Sequence, residues 1–318
     1  MNLSPLPRIL SIQSHVVHGH VGNKSVSFPL QLNGFEIDTI NTVQKCTHNR
    51  YQHFTGTELS IEDFKNIVGG LRENGLLYSY SYIMTGYIRS AELLKLVADL
   101  VREIKDFQSK QSLTNANLIY LCDPVMGDIY PEIADTHKRG VMYVPKDILP
   151  VYRNEILPLA DILTPNQCEL ELLLNGEFQI ENDADMKKAL THEIFKDKQI
   201  FVTSNLEINS PEIVGYCKLG SFEKFKIYKF SNDRMPACFV GTGDLFSATL
   251  LAEVHHNLRP YEEQVLDRQT NGHNGMTNGT KSNDISPVRS RSNSEVFADV
   301  DFTNNVKGNF TLGVANSF

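Results

Sequence analysis

The stretch Phe239-Val-Gly-Thr-Gly-Asp244-Leu-Phe sets two glycines and a carboxylate at the head of an amphipathic run. Glycine lets a backbone approach a ligand closely, and the first turn of a helix offers unsatisfied N–H groups with partial positive charge, so this segment suits a phosphate. Asp244 falls in that first turn, where it can accept a proton from a hydroxyl attacking a bound phosphate chain. An ordinary helix start with an acidic cap has the same local pattern. A second pair of carboxylates ends the stretch Leu121-Cys-Asp-Pro-Val-Met-Gly-Asp128. In open α/β sheets ligands bind beyond the carboxyl ends of strands, which puts Asp123 and Asp128 where Mg²⁺ and phosphate chemistry belongs, although Asp-Pro is also a common turn. The third cluster is Leu163-Thr-Pro-Asn-Gln-Cys-Glu169, with Asn166 and Glu169 on one helix face at i, i+3, a spacing that plain capping explains equally well. Three such clusters at predicted strand ends agree with a nucleotide site. No GxxxxGK[ST] occurs, so the phosphate loop is not a P-loop.

The elements that must position these residues alternate short apolar runs with longer amphipathic ones, as parallel strands joined by crossover helices do. Strands are expected at 8–14, 35–43, 80–86, 117–123, 160–164 and 199–204. Helices are expected at 22–33, 60–74, 90–107, 167–174, 183–195 and 243–256. In 90–107 the residues Leu93, Leu94, Val97, Leu100, Val101 and Ile104 make one apolar face. Residues 213–219 and 224–230 are compatible with a hairpin.

The chain has 318 residues, ample for one large α/β domain, and 41% hydrophobic with 21% charged residues excludes a disordered or fibrous chain. Its formal charge of -8 gives sequence-independent binding to nucleic acid or to an anionic membrane no support. No run approaches the roughly 18 apolar residues of a membrane span, and the N-terminus lacks signal-peptide features, so a cytoplasmic protein is expected. Five cysteines without a CxxC pair fit reduced thiols. From Arg268 to Phe318, 25 of 51 residues are Asn, Gly, Ser or Thr, too polar to offset the entropy of ordering. The division expected is therefore a domain over 1–264 and a polar, disordered tail over 265–318, with 296–318 holding scattered Phe and Val. Within that tail Ser292 and Ser294 each follow an arginine by three residues, a spacing open to phosphorylation, while the sequons at Asn278 and Asn309 are read as chance matches.

Taken in order, Ile9-Leu-Ser-Ile-Gln-Ser-His-Val, Gly19-His-Val-Gly-Asn, Phe28-Pro-Leu-Gln, Gly34-Phe-Glu-Ile-Asp, Thr85-Gly-Tyr, Cys122-Asp-Pro-Val-Met-Gly-Asp, Met142-Tyr-Val-Pro, Leu159-Ala-Asp-Ile-Leu-Thr-Pro-Asn-Gln and Phe239-Val-Gly-Thr-Gly-Asp closely resemble the pyridoxal kinase family of the ribokinase superfamily. The resemblance covers about residues 8 to 256. It implies a ribokinase-like α/β fold, a mostly parallel central sheet with helices on both faces. The implied reaction is ATP-dependent phosphorylation of the 5′-hydroxymethyl of pyridoxal, pyridoxine or pyridoxamine, with Mg²⁺ or another divalent metal, a monovalent cation (K⁺ or Na⁺) and a homodimer. Asp244 takes the catalytic-base position, and Gly241, Thr242 and Gly243 supply backbone donors around the transferred phosphoryl. Ser14, Val21, Asn49 and Tyr87 match positions around the pyridine ring. Asp123, Thr164 and Thr203 match the monovalent-cation region, Asp128 the divalent-metal position, and Asn166, Glu169, Thr203 and Ser204, with Asp123, the nucleotide and metal shell. Residues 127–143 correspond to a flap over the substrate.

Two departures stand out. Where the family reads Ser-Asn-His-Thr-Gly-Tyr, this chain reads Cys46-Thr-His-Asn-Arg-Tyr51, so Asn49 replaces a substrate-contacting Thr and Arg50 a Gly. Beyond His256 the family continues with helices that pack on the sheet, and here the polar tail takes their place. That second departure leaves open a non-catalytic or weakly active relative acting as a binding or regulatory protein. A sugar or hydroxymethylpyrimidine kinase of the same superfamily is disfavoured by the Ser14 and Tyr87 contexts.

Overall fold

The computed structural model describes residues 6–111, 118–128, 140–204, 211–221, 224–234 and 239–273, the last stretch from 258 onward as backbone only. The strands are β1 (Arg8–Val16), β2 (Glu36–Lys45), β3 (Gly56–Glu58), β4 (Tyr82–Thr85), β5 (Ile119–Cys122), β6 (Gly127–Asp128), β7 (Val141–Met142), β8 (Ile162–Leu163), β9 (Gln199–Val202), β10 (Glu212–Ser221) and β11 (Lys224–Asp233). The helices are α1 (Asn23–Leu32), α2 (Ile61–Glu73), α3 (Ala91–Gln111), α4 (Ile148–Val151), α5 (Gln167–Leu173), α6 (Asp183–Leu190) and α7 (Thr242–His273).

Among the described residues, nine strands form one sheet in the order β11-β10-β9-β8-β5-β4-β1-β2-β3. From β2 to β9 the pairings are parallel, while the hairpin β10–β11 and the short β3 close the two edges antiparallel. Parallel strands need crossovers, and the crossover helices cover both faces, so these strands read as apolar runs rather than as alternating ones. Alternation survives as a choice between two buried layers. Tyr82, Met84, Ile119 and Leu121 pack with Val26 and Leu30 of α1 and with Phe246, Leu250 and Leu251 of α7. Ile83, Tyr120 and Cys122 point the other way, into a larger core with α2, α3 and α5. All six residues of the apolar face expected on α3 are buried there, each at most 2% exposed. Burying such aliphatic side chains contributes about 1.5–3 kcal/mol each, which is what holds a 21-residue helix of otherwise charged sequence on the sheet.

Each expected strand and helix has a counterpart within a few residues, and the hairpin is present. Two corrections concern helix ends. The helix expected over 183–195 stops at Leu190 and resumes as a single 3₁₀ turn at Glu193–Phe195. The helix expected to end at His256 runs as backbone to His273, so residues 265–273, read as the start of the tail, continue α7. The rest of the expected tail, with Asn278, Ser292, Ser294, Asn309 and 296–318, lies outside the described residues, as do 129–139 within the expected flap.

Candidate active site

Parallel strands all end on one edge of the sheet, and that edge carries a cavity of about 510 Å³. Ser14 comes from the end of β1, Tyr87 from just beyond β4, Asp123 from just beyond β5, Thr164 from just beyond β8, and Thr203 and Ser204 from just beyond β9. Val21 lies in the β1–α1 connection, Asn49 in the β2–β3 connection, Asp128 in β6, and Asn166 with Glu169 at the head of α5. Gly241, Thr242, Gly243 and Asp244 complete the wall at the start of α7. The cavity therefore brings together every residue that the resemblance places in the site.

The α7 turn and the β1–α1 turn are interlocked. Gly22 and Gly241 both have positive φ, 52° and 87°, where a side chain is strained. A Cβ on Gly241 would collide with the His20 carbonyl oxygen, and one on Gly22 would collide with the Ser14 carbonyl oxygen. The Gly22 N–H donates to Asp244 Oδ2 at 2.8 Å, and Ser25 Oγ donates to the Gly241 carbonyl at 3.2 Å. Asp244 is thus not a cap of its own helix, the bland alternative its position allowed. It is fixed across the turn beside Ser14, and loss of solvation pushes its carboxyl up to about 6.

Asn166 and Glu169 do form the capping box their spacing permitted: Glu169 N donates to Asn166 Oδ1 and Asn166 N to Glu169 Oε2, both at 2.9 Å. They do more besides. Glu169 Oε1 accepts from the Met126 N–H at 2.9 Å, and Asn166 Nδ2 donates to the Gly127 carbonyl at 2.9 Å, which ties α5 to the root of the β6–β7 ribbon. Glu169 is 3% exposed and Asp123 6%. Burial pushes Glu169 up to about 8 despite its backbone donors. Asp123 is raised well above the carboxylate range by burial first, then by the nearby charges of Glu169 and Asp244.

Sequence reasoning passed over Ser247. One helical turn after Asp244, it is fully buried, donates to Asp123 Oδ2 at 3.5 Å and shares a 2.9 Å bond with Thr164 Oγ1. The i, i+3 spacing from Asp244 was the available signal. It also passed over Lys45, Glu58 and Arg89, which line the far end of the cavity together with Arg50. They lie on three separate elements, and only the sheet order joins them.

No cluster of three or more His, Cys, Asp or Glu side chains in a metal-holding arrangement occurs among the described residues. The donor chemistry still fits a hard cation. Asp123, Asp128 and Glu169 line the same cavity wall, with the hydroxyls of Thr164 and Thr203 beside them, and Mg²⁺ is commonly held by one or two carboxylates plus substrate phosphates rather than by a complete protein cage.

The profile of the phosphomethylpyrimidine kinase family matches residues 78–265. Human pyridoxal kinase is 40% identical over an alignment of 257 residues that covers 78% of this chain and 77% of that one. The Arabidopsis thaliana pyridoxal kinase is 39% identical over an alignment of 250 residues that covers 77% of this chain and 73% of that one. Among solved structures, pyridoxal kinase from Leishmania donovani in complex with ADP and pyridoxine superimposes with a TM-score of 0.68 at 33% identity, covering 78% of this chain and 79% of its own.

Proposed function

The chain belongs to the pyridoxal kinase family, and from that premise we infer that it transfers the γ-phosphoryl of ATP to the 5′-hydroxymethyl of pyridoxal, pyridoxine and pyridoxamine. The observation that carries this reading is the convergence, in one cavity, of a desolvated carboxylate anchored by a backbone N–H with a glycine-rich helix start and the Ser14–Tyr87 wall. In this reading the vitamin ring lies against Ser14, Val21, Asn49 and Tyr87, which leaves its hydroxymethyl beside Asp244. Asp244 accepts the hydroxyl proton as the oxygen bonds to the γ-phosphorus and the bond to the bridging oxygen breaks, releasing ADP. The N–H groups of Gly241, Thr242 and Gly243 stabilise charge on the transferring group, a task that needs preset dipoles and no reactive side chain. Asn166, Glu169, Thr203, Ser204 and Asp123 hold the nucleotide side.

Asp123, Asp128, Thr164, Glu169 and Thr203 are the residues that would hold a divalent metal and a monovalent cation. Such cations would neutralise phosphate charge beside carboxylates whose own ionisation burial disfavours. A homodimer goes with this reading and is supported by the exposed apolar pair Phe28 and Leu32 on α1. So does a cytoplasmic protein with no membrane or nucleic-acid partner, supported by the acidic charge and by the absence, among the described residues, of a helix long and apolar enough to cross a membrane. A domain division near residue 264 is kept as part of the proposal, with the end of α7 crossing it. No observation favours a non-catalytic relative. The test is formation of pyridoxal 5′-phosphate and ADP from pyridoxal and MgATP by purified protein, beside Asp244→Asn. No turnover by the wild-type chain overturns the reading.

A further inference from the structure

The cavity is polarised. Its acidic wall is built at the ends of β5 and β8, whereas Lys45 closes β2 and Glu58 closes β3. In the sheet order β8-β5-β4-β1-β2-β3, the ring-facing Ser14 and Tyr87 come from β1 and β4, between the two. Three strand spacings separate β5 from β2, roughly 14 Å. At the β2–β3 end Lys45, Arg50 and Arg89 all line the cavity. Glu58 Oε1 is shared by Lys45 Nζ at 3.5 Å and Arg89 Nη1 at 3.3 Å, so one carboxylate faces two cations. His48, between Lys45 and Arg50 in the chain, is pushed below its ordinary range by burial first and then by the neighbouring Arg50 guanidinium. Tyr87, Arg89 and Glu58 line the same cavity, which places the rim beside the expected ring site.

We propose that this rim is a subsite for an anionic arm of the substrate: a vitamin B6 alcohol whose 4′-carbon carries an amino-acid carboxylate. The proposal rests on the kinase reading and deepens it. Pyridoxal's aldehyde condenses with an α-amino group by forming a C=N bond and losing its oxygen as water. The adduct keeps both the 5′-hydroxymethyl and the amino acid's carboxylate. With its hydroxymethyl beside Asp244 and its ring between Ser14 and Tyr87, the arm is long enough to turn toward β2, where one carboxylate meets Lys45 and Arg50. Among the described residues the rim carries one negative and three positive side chains, which favours such an arm over an uncharged one of the same shape.

The probes are the stable reduced conjugates N-pyridoxylglycine and N-pyridoxylglycinamide, which differ only in carboxylate against carboxamide, with pyridoxine as the standard. In the wild-type chain kcat/KM is expected to favour the carboxylate about 5- to 10-fold at low salt and less at high salt, as for partly exposed charges. Lys45→Met should bring the ratio close to 1. Arg50→Gly, on an exposed loop, is the second variant and should lower it about twofold. Equal kcat/KM for the two conjugates in the wild type, or a ratio unchanged in both variants, overturns the subsite. So does a rise in KM for ATP at an unchanged ratio, which would assign the rim to the nucleotide. If pyridoxine itself is not turned over, the kinase reading fails. Titration calorimetry of the two conjugates then decides the rim by itself, tighter binding of the carboxylate supporting it and equal or absent binding ending it.

Discussion

At its β5–β8 end the cavity holds Asp123 and Glu169, both buried, Glu169 engaged by main-chain amides and Asp123 by the Ser247 hydroxyl, whereas at its β2–β3 end the charged side chains are partly exposed and hold mainly one another. Moving Glu169 means unmaking a helix cap and the Met126 amide bond at the root of the β6–β7 ribbon together. Moving Lys45 means unmaking one exposed ion pair of the kind worth only about 0–1 kcal/mol. In the proposed reading the acidic end carries the phosphoryl chemistry, and its buried carboxylates are costly to ionise. In that reading a change at the rim alters which substrate fits rather than whether phosphate moves.

The largest expected effect tests the acidic end. Asp244→Asn keeps the shape of the side chain but cannot accept the hydroxyl proton, so kcat should fall about 10²-fold or more with KM little altered. Steady-state kinetics in both substrates checks this, and near wild-type turnover removes Asp244 from the base role. Next comes pH. A base raised to about 6 is lost by protonation as pH falls through that value, so kcat/KM should drop toward tenfold per pH unit below about 6. Stability runs the other way. Asp244 and Glu169 hold protons in the folded chain that they lose when unfolded, so their contribution weakens as pH rises from the ordinary carboxylate range through about 6 and about 8. Melting curves at pH 6 and 8.5 should therefore show a slope that Glu169→Gln reduces; an unaltered slope means that Glu169 ionises normally.

Gly241→Ala should follow, with about a tenfold loss in kcat/KM and about 1–3 kcal/mol of stability, because it adds a Cβ against the His20 carbonyl at a positive φ. Denaturant unfolding beside kinetics separates the two losses. If the mutant is as stable and active as the parent, the interlocked turns do not set Asp244. The smallest effect belongs to the rim. Asn49→Thr with Arg50→Gly should lower KM for pyridoxal about threefold, since a hydroxyl replaces a carboxamide and a guanidinium no longer has to be desolvated. An unchanged or higher KM would show that Asn49 already makes an equivalent bond.

Much of this was legible before any coordinates. Apolar runs at the strand positions and one apolar stripe over 93–104 announce buried parallel strands and their crossover helices, because local periodicity and burial are coupled in both. Asp244, Asp123 and Glu169 were legible for the same reason: each sits at a strand end or helix start, and those places are visible in one dimension. The end of α7 was not. Its polar Asn/Gln/Arg composition near 268 reads as a tail, yet helical backbone continues to His273. Composition measures how much apolar surface a segment can bury and says little about where backbone hydrogen bonding stops.

Taken by itself, the sequence determined the fold class, the three carboxylate clusters and the glycine-rich turn, since each depends on neighbours within a few residues. Only the tertiary structure decided that the Gly22 amide, 222 residues away in the chain, holds Asp244. It likewise decided that Asn166 and Glu169 serve as cap and cavity wall at once, and that Lys45, Glu58 and Arg89 share a rim. Those relations depend on which strands lie side by side, and that order comes from packing two hydrophobic layers onto one sheet, a property of the whole chain that no local pattern contains.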